Sequence, residues 1–378
     1  MRMRSVDTVV VGLGVMGAST LGVLASRGLN PLGLEQYWAG HPFGSSHGES
    51  RIIRQAYYEH PDYVPLVQEA WQAWRALERS SGWPLLTETG GLMVGRPDSE
   101  LIRGALRSAI QHHLPHERLE ASALMRRFPA FRVDPDDVGV YEPRAGVLIA
   151  ERATEALVAE ACRQGAAVQL GQRVRQVAPE GGGVVVHTDQ GSIRARCAVV
   201  AAGPWTRELL PEWNVPLVVE RQAVTWLRAQ EPRWFHPDRF PVYMREEASG
   251  DTFYGFPSLD AATVKLARHH GGATTTPDRV ARHVDADDLA VARRFAARTF
   301  PGLLPTVAQS TVCLYTDTPD RHFAVGPLSP DVPQIVVLAG FSGHGFKFGP
   351  AIGRIAADLL ATPGSGPALF RPDRFIGA

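Results

Sequence analysis

Residues 6–35 read VDTVVVGLGVMGASTLGVLASRGLNPLGLE, and this stretch decides the fold. Val9, Val10 and Val11 are an apolar, β-branched run suited to a buried strand. Gly12, Gly14 and Gly17 follow as G-x-G-x-x-G. The first glycine allows a sharp turn, the second lets a pyrophosphate approach the backbone, and the third lets the helix pack close to the strand. The helix is expected to run to about Arg27, with Gly28 capping its end, and a strand from Pro31 to Leu34 then delivers Glu35. A carboxylate at that distance accepts from ribose hydroxyls and repels a 2′-phosphate, which disfavours NADP. Strand, turn, helix, strand and acid in this order identify a dinucleotide-binding unit. A secretory leader, suggested by Arg2 and Arg4 ahead of an apolar run, is opposed by Asp7 and by the spaced glycines.

The chain has 378 residues, 44% of them hydrophobic, which is enough for two domains with ample core. Its formal net charge is zero, so the composition argues against nucleic acid as a partner. No other apolar stretch approaches membrane-spanning length. Cys162, Cys197 and Cys313 lie far apart without metal spacing, which points to a reducing cytoplasm and no disulfide framework. Of 39 Lys plus Arg residues only Lys265 and Lys347 are lysines. A chain that uses Arg almost everywhere keeps an ammonium where a compact, strongly hydrated point charge is needed.

Beyond Glu35, a Gly/Ser/His-rich loop from His41 to Ser50 leads into Arg51-Ile52-Ile53-Arg54. Two arginines three apart share a side if this turn is helical, beside a loop suited to an anion. Helices are expected over Pro61–Arg79 (core stripe Leu66, Trp71, Trp74, Leu77), Leu101–His112, Ala150–Gln164 and Asp285–Thr299, and from near Pro350 to about Leu360. Strands are expected over Leu85–Val94 with a break at Gly90-Gly91, and within Val138–Ile149, Ala167–Leu170, Arg173–Val177, Val184–Thr188 and Ser192–Arg196. Ala198 to Gly203 reads as a short buried strand whose Ala-Ala-Gly end allows close backbone approach to a cofactor. Further strands fall at Leu217–Arg228, Val242–Met244, Thr252–Phe256, Thr263–Ala267, Gln309–Tyr315 and Ile335–Ala339. Cys162 and Cys197 read as core residues.

The alternation gives an α/β protein: a Rossmann-type domain interleaved with a mostly antiparallel-sheet substrate domain. The expected division assigns residues 1–84, 146–215 and 321–378 to the dinucleotide domain, and 85–145 and 216–320 to the substrate domain. Ligand sites favour such domain interfaces.

Four motifs carry a resemblance: GSSHGESRIIRQAY at 44–57, FYGFPS at 253–258 with Lys265 soon after, TVCLYTDTPDRHF at 311–323 and GFSGHGFKFGP at 340–350. Over nearly its whole length the chain resembles the monomeric sarcosine oxidase family of FAD amine oxidases, which includes N-methyltryptophan and pipecolate oxidases. The resemblance implies FAD held by a thioether to Cys313. It implies a substrate-carboxylate clamp of Arg54 and Lys347, with Glu59 paired to the arginine, and Lys265 as the oxygen-activating cation. Tyr254, His269, Tyr315 and His47 would line the pocket with Met244, and Arg51 would lie near the flavin ring. Cofactor contacts would come from Gly12, Gly14, Gly17 and Glu35, from Ser46, Ser50, Val174 and Gly203, and from Gly340, Gly343, Gly345 and Lys347. The chain departs from the pattern at Ser50, where sarcosine oxidases have threonine, and at Asp260-Ala261-Ala262, which replaces a glycine-rich turn. The segment from Arg245 to Asp251 is also one residue longer than the pattern.

Elementary chemistry points the same way. Oxidising a secondary amino acid needs a held carboxylate, which a guanidinium fork and an ammonium supply. It also needs positive potential at the electron acceptor, available from the N-terminus of the last helix with Lys347 beside it. Passing electrons to O2 is helped by a fixed cation. The expected reaction converts sarcosine, O2 and water to glycine, formaldehyde and H2O2. Larger N-methyl or cyclic amino acids such as N-methyltryptophan, pipecolate or proline are the alternative substrates, and a dehydrogenase with another electron acceptor, or a non-catalytic redox-sensing or binding protein, is the alternative class. The partners expected are a small amino acid and O2, with a monomeric chain, no nucleic acid and no membrane.

Overall fold

The structure is a computed structural model that describes residues 4–375. Its first sheet has the strand Arg4–Val11 near the centre, parallel to Pro31–Leu34 on one side and to Gly191–Val200 on the other. Ala167–Gln169 extends it beyond Pro31–Leu34, and Ile335–Ala339 joins Gly191–Val200 in parallel. The helix Val15–Ser26 ends in a Schellman cap. There Gly28 (φ +76°) donates to Ala25 O, and Leu29 donates to Leu24 O. This helix packs against Ala150–Arg163 and Gly349–Ala361. The last contact is backbone-close: a Cβ on Gly353 would lie 2.7 Å from the Ser19 carbonyl carbon.

A second, larger sheet is mostly antiparallel. Its central strands are Val218–Ala229, Thr263–His269, Thr252–Gly255 and Val242–Glu246, with Leu303–Asp317 along the other edge of Val218–Ala229. Side chains alternate across it. Leu227, Val264, Leu266, Phe253 and Tyr243 pack with Phe295 of the helix Ala286–Thr299. The register partners Gln222↔Cys313, Trp226↔Lys265 and Met244↔Tyr254 place a second set of side chains on the opposite face. Period two along each strand adds His269 and Tyr315 to that face. The large sheet thus offers one face to an apolar core and the other to a polar cluster.

Several expectations are corrected. Ser50–Ile53 is a strand, paired with Gly146–Ile149, not a helical turn. Arg51 and Arg54 therefore diverge. Leu85–Val94 is two strands in different sheets: Leu86–Glu88 pairs with Gly146–Ile149, and Gly91–Gly95 joins the large sheet. The switch falls at Gly90 (φ +70°), where a Cβ would meet the Tyr141 ring at 2.6 Å. Ser192–Arg196 and the start of Ala198–Gly203 fuse into one strand, Gly191–Val200, that serves an antiparallel hairpin at one end and the parallel sheet at the other, and Gly203 falls beyond it in a 3-10 turn. The helix Ala121–Arg127 and the strand Ala324–Pro327 had no expectation. Cys162 is exposed and Cys197 half-buried, so neither belongs to the core. Among the described residues no helix is long and apolar enough to cross a membrane.

Candidate active site

A cavity of about 380 Å³ runs from the turn at Gly12 to the loop around Gly343. Backbone proximity dictates two of the motif glycines. A Cβ on Gly12 (φ +86°) would stand 2.6 Å from Ala201 O, and one on Gly17 would stand 1.8 Å from Gly12 O. Gly14 is different: its nearest neighbour would be Ser46 Oγ at 3.3 Å, so the space over it is cavity. The helix that begins there has no acidic residue in its first turn, and a helix N-terminus of this kind favours an anion. At the other end of the motif, Glu35 Oε2 accepts from Leu13 N at 2.8 Å and Oε1 from Tyr37 N at 3.0 Å. Burial raises the Glu35 pKa, and these backbone donors offset part of the rise.

Ser46, Val174, Gly203, Gly340, Gly343 and Gly345 also line the cavity, with Gly12, Gly14 and Glu35. Gly17, Ser50, Cys313 and Lys347 do not. Two lining side chains keep a buried polar atom without a partner: Gln172 Nε2 and Thr316 Oγ1. An orphaned donor or acceptor costs free energy unless a ligand satisfies it. A cavity lined by a helix N-terminus, a buried acid and orphaned polar atoms suits FAD.

Next to the cavity, the polar face of the large sheet meets the loop 44–50. Glu151 braces that loop, accepting from Gly48 N at 2.6 Å and Glu49 N at 3.1 Å. Cys313 is buried, its Sγ 3.7 Å from His47 O and 3.8 Å from Arg51 Nη2. Burial raises the thiol's pKa, but His47, Arg51 and Lys265 outweigh it and bring it down to about 6. Lys265 reaches from the sheet into the same loop: Nζ donates to Gly48 O, to Ser50 O at 2.8 Å and to Ser50 Oγ at 3.1 Å. Burial, reinforced by Arg51, brings its ammonium down to about 7. Arg51 itself lines the cavity and donates to Ser45 O and Ser50 O.

Arg54 belongs to a second group. Its guanidinium is buried over the Tyr57 ring, 4.2 Å from the centroid. Nη2 holds both oxygens of Glu59, at 2.6 and 2.7 Å, while Nη1 has no partner. Burial opposes the Arg54 charge and Glu59 more than restores it. The Lys347 Nζ lies 5.2 Å from the same ring and donates to His344 O at 2.6 Å. Burial first, and Arg54 second, hold the Lys347 ammonium well below the usual lysine range. On the sheet face, His269 Nδ1 lies 3.2 Å from Tyr315 OH, and Tyr254 meets His269 edge to face. Burial keeps His269 neutral, far below the usual histidine range. Met244 is buried beside Tyr254.

Sequence reading missed the supports of these groups. Trp74 Nε1 donates to Lys347 O at 2.8 Å, and its ring stacks on Phe346. Glu142 is buried and accepts from the amides of Gln55 and Ala56 at 2.9 and 3.0 Å, which fixes the backbone next to Arg54. The only signal for Trp74 was its place in the core stripe; Glu142 had none.

A Rossmann-type cavity opening onto a sheet that carries a cysteine, a lysine and a histidine–tyrosine pair defines a flavin-type oxidoreductase. The FAD dependent oxidoreductase family, DAO, matches residues 7–359, and the chain belongs to that family. It is 40% identical to a monomeric sarcosine oxidase of Streptomyces avermitilis, over 98% of each chain. It is also 34% identical to an N-methyl-L-tryptophan oxidase of Salmonella heidelberg, over 98% of this chain and 99% of that one. Among solved structures, the amino acid oxidase NikD superposes with a TM-score of 0.86 at 27% identity, covering 98% of this chain and 97% of that one. The α/β fold and the family expected from the sequence are both borne out.

Proposed function

We propose that the protein oxidises the C–N bond of a small N-methylated amino acid, sarcosine foremost, giving glycine, formaldehyde and H2O2. The observation that carries this reading is the unpartnered Nη1 of Arg54, buried beside Lys347 and held from behind by Glu59. A substrate carboxylate would satisfy it, with Lys347 supplying the second charge. Bound FAD supplies a two-electron acceptor that O2 can restore. Gly12, Gly14, Glu35, Ser46, Val174, Gly203 and the 340–345 loop would hold it. The thiol of Cys313, already acidic, would form the thioether to its isoalloxazine. Arg51 places a guanidinium in that part of the cavity, and Lys265 a fixed charge on the side where O2 is reduced. Tyr254, His269, Tyr315, His47 and Met244 would close the pocket around the amine and exclude water.

The identity to N-methyl-L-tryptophan oxidases supports a larger substrate as the second reading. A panel of sarcosine, N-methyltryptophan, pipecolate and proline, assayed for peroxide under air, decides between them. Sarcosine should give the highest kcat/KM. Turnover that depends on an artificial acceptor and yields no peroxide would remove the oxidase assignment.

A further inference from the structure

Behind the His269–Tyr315 pair three acid and imidazole groups converge that the proposed reaction does not use. Glu220 lies on Val218–Ala229 as the register partner of Tyr315, and Asp317 ends the neighbouring strand on the same face. His270 follows Thr263–His269 and turns inward, its ring 4.2 Å from His269 and 5.3 Å from Tyr315. His270 Nδ1 stands 3.4 Å from Asp317 Oδ2 and 3.9 Å from Glu220 Oε2.

Three observations make this more than an acidic corner. His270 is only 8% exposed, and its Nδ1 is buried without a hydrogen-bond partner although it faces both carboxylates. Asp317 Oδ1 is likewise buried and unpartnered. Among the described residues no Lys or Arg forms an ion pair with Glu220 or Asp317. In addition, Glu220 Oε1 is taken by Gly272 N and Gln222 Nε2, which directs Oε2 at the other two groups. Burial and Asp317 both raise the Glu220 pKa, as expected for carboxylates crowded without a cation.

We propose that Glu220, His270 and Asp317 form a binding site for a divalent transition-metal ion, placed one residue beyond the wall of the active site. An imidazole and two carboxylates suit zinc, manganese or cobalt better than calcium or magnesium. Bonds of about 2.1 Å in a tetrahedral site separate ligand atoms by about 3.4 Å, close to the spacings here. The bound ion would tie together three strands of the sheet and fix the His270 ring against His269 and Tyr315. Its role is structural: it positions the rim of the pocket and takes no part in electron transfer.

The test uses the untagged holoenzyme, dialysed against EDTA and then titrated with zinc chloride by calorimetry. Metal content after gel filtration is measured in parallel. One equivalent should bind saturably, with micromolar or tighter affinity, and the thermal midpoint should rise. Asp317→Asn keeps shape and removes charge. His270→Asn removes the imidazole while tolerating the left-handed backbone at this position (φ 67°). Each variant should weaken binding at least a hundredfold and abolish the thermal shift, with the flavin spectrum unchanged. If either variant fails to fold, Glu220→Gln takes its place. Binding that is absent, or equal in wild type and variants, would reduce the cluster to a histidine–carboxylate ion pair.

Discussion

Arg54 gives a single nitrogen, Nη2, to both oxygens of Glu59 and keeps Nη1 without a partner in a fully buried setting. The acid fixes the fork, and the other prong is left for a ligand. Losing one charge-assisted bond costs about 1.5–3 kcal/mol, roughly a tenfold to hundredfold loss of affinity. Arg54→Ala should therefore raise KM for substrate and Ki for acetate by that factor. Arg54→Lys should be nearly as poor, because an ammonium lacks the fork. Unchanged acetate inhibition in Arg54→Ala would place the carboxylate elsewhere.

The acidic thiol of Cys313 leads to a test of covalent attachment. Acid-precipitated wild-type protein should stay yellow, with a mass greater than the chain by one FAD. Cys313→Ala should release its flavin into the supernatant. A colourless wild-type pellet would show that the thioether does not form.

Lys265 should matter to one half-reaction. A preorganised cation next to developing negative charge is worth on the order of 10²–10³ in rate. Lys265→Met, reduced anaerobically by substrate and then mixed with O2, should reoxidise at least a hundredfold more slowly. A merely structural lysine would leave reoxidation within about threefold of wild type.

Opposite pH dependences should separate the half-reactions. Both Glu59 oxygens are on Arg54, and burial makes His269 a weak base, so reduction should use the neutral substrate amine and speed up as pH rises through the bound amine's pKa. The Lys265 ammonium, already brought down to about 7, is lost as pH rises. Reoxidation should therefore slow with rising pH, with a midpoint at or above about 7. Stopped-flow measurement of each half-reaction from pH 6 to 10 checks both slopes; parallel profiles would refute the division.

Glu142 should shape stability. Burial first raises its pKa, and the Gln55 and Ala56 amides offset this only partly, leaving it at about 7. A group protonated in the folded chain and ionised in the unfolded one contributes stability below pH 4.5 that is lost as pH rises through about 7. Glu142→Gln should therefore flatten the fall in melting temperature over that window. Glu142→Ala orphans two buried amides and should cost about 1–3 kcal/mol at any pH. A wild-type profile indistinguishable from that of Glu142→Gln would contradict the shift.

What the sequence disclosed depended on the range of the forces involved. The positive-φ turn at Gly12, the Gly28 cap and the helical spacing of the Ile352–Leu359 stripe are conformations of a few consecutive residues, so their pattern is written locally even though Ala201 crowds Gly12 and Val15–Ser19 receives the last helix. Ser50–Ile53 became a strand because Gly146–Ile149 offers it hydrogen bonds, a partner almost a hundred residues away. The Gly90 break was visible, but which sheet each half would join depended on Tyr141 and Ala145. The site motifs announced Arg54, Lys265, Cys313 and Lys347 as residue types. The Glu59 partner of Arg54 was foreseen through the resemblance, but the poise of the other three was hidden, since it comes from Gly48, Arg51 and Trp74 converging from separate elements.

The close seat of Gly349 and Gly353 on Val15 and Ser19 has a consequence for how the chain is made. A ribosome delivers the glycine turn within the first twenty residues, but the helix that packs behind it arrives more than three hundred residues later, together with the loop 340–345. Until then the nucleotide has a motif and no container. Cofactor capture must wait for the completed sheet, and an arrested or C-terminally clipped chain should accumulate without colour.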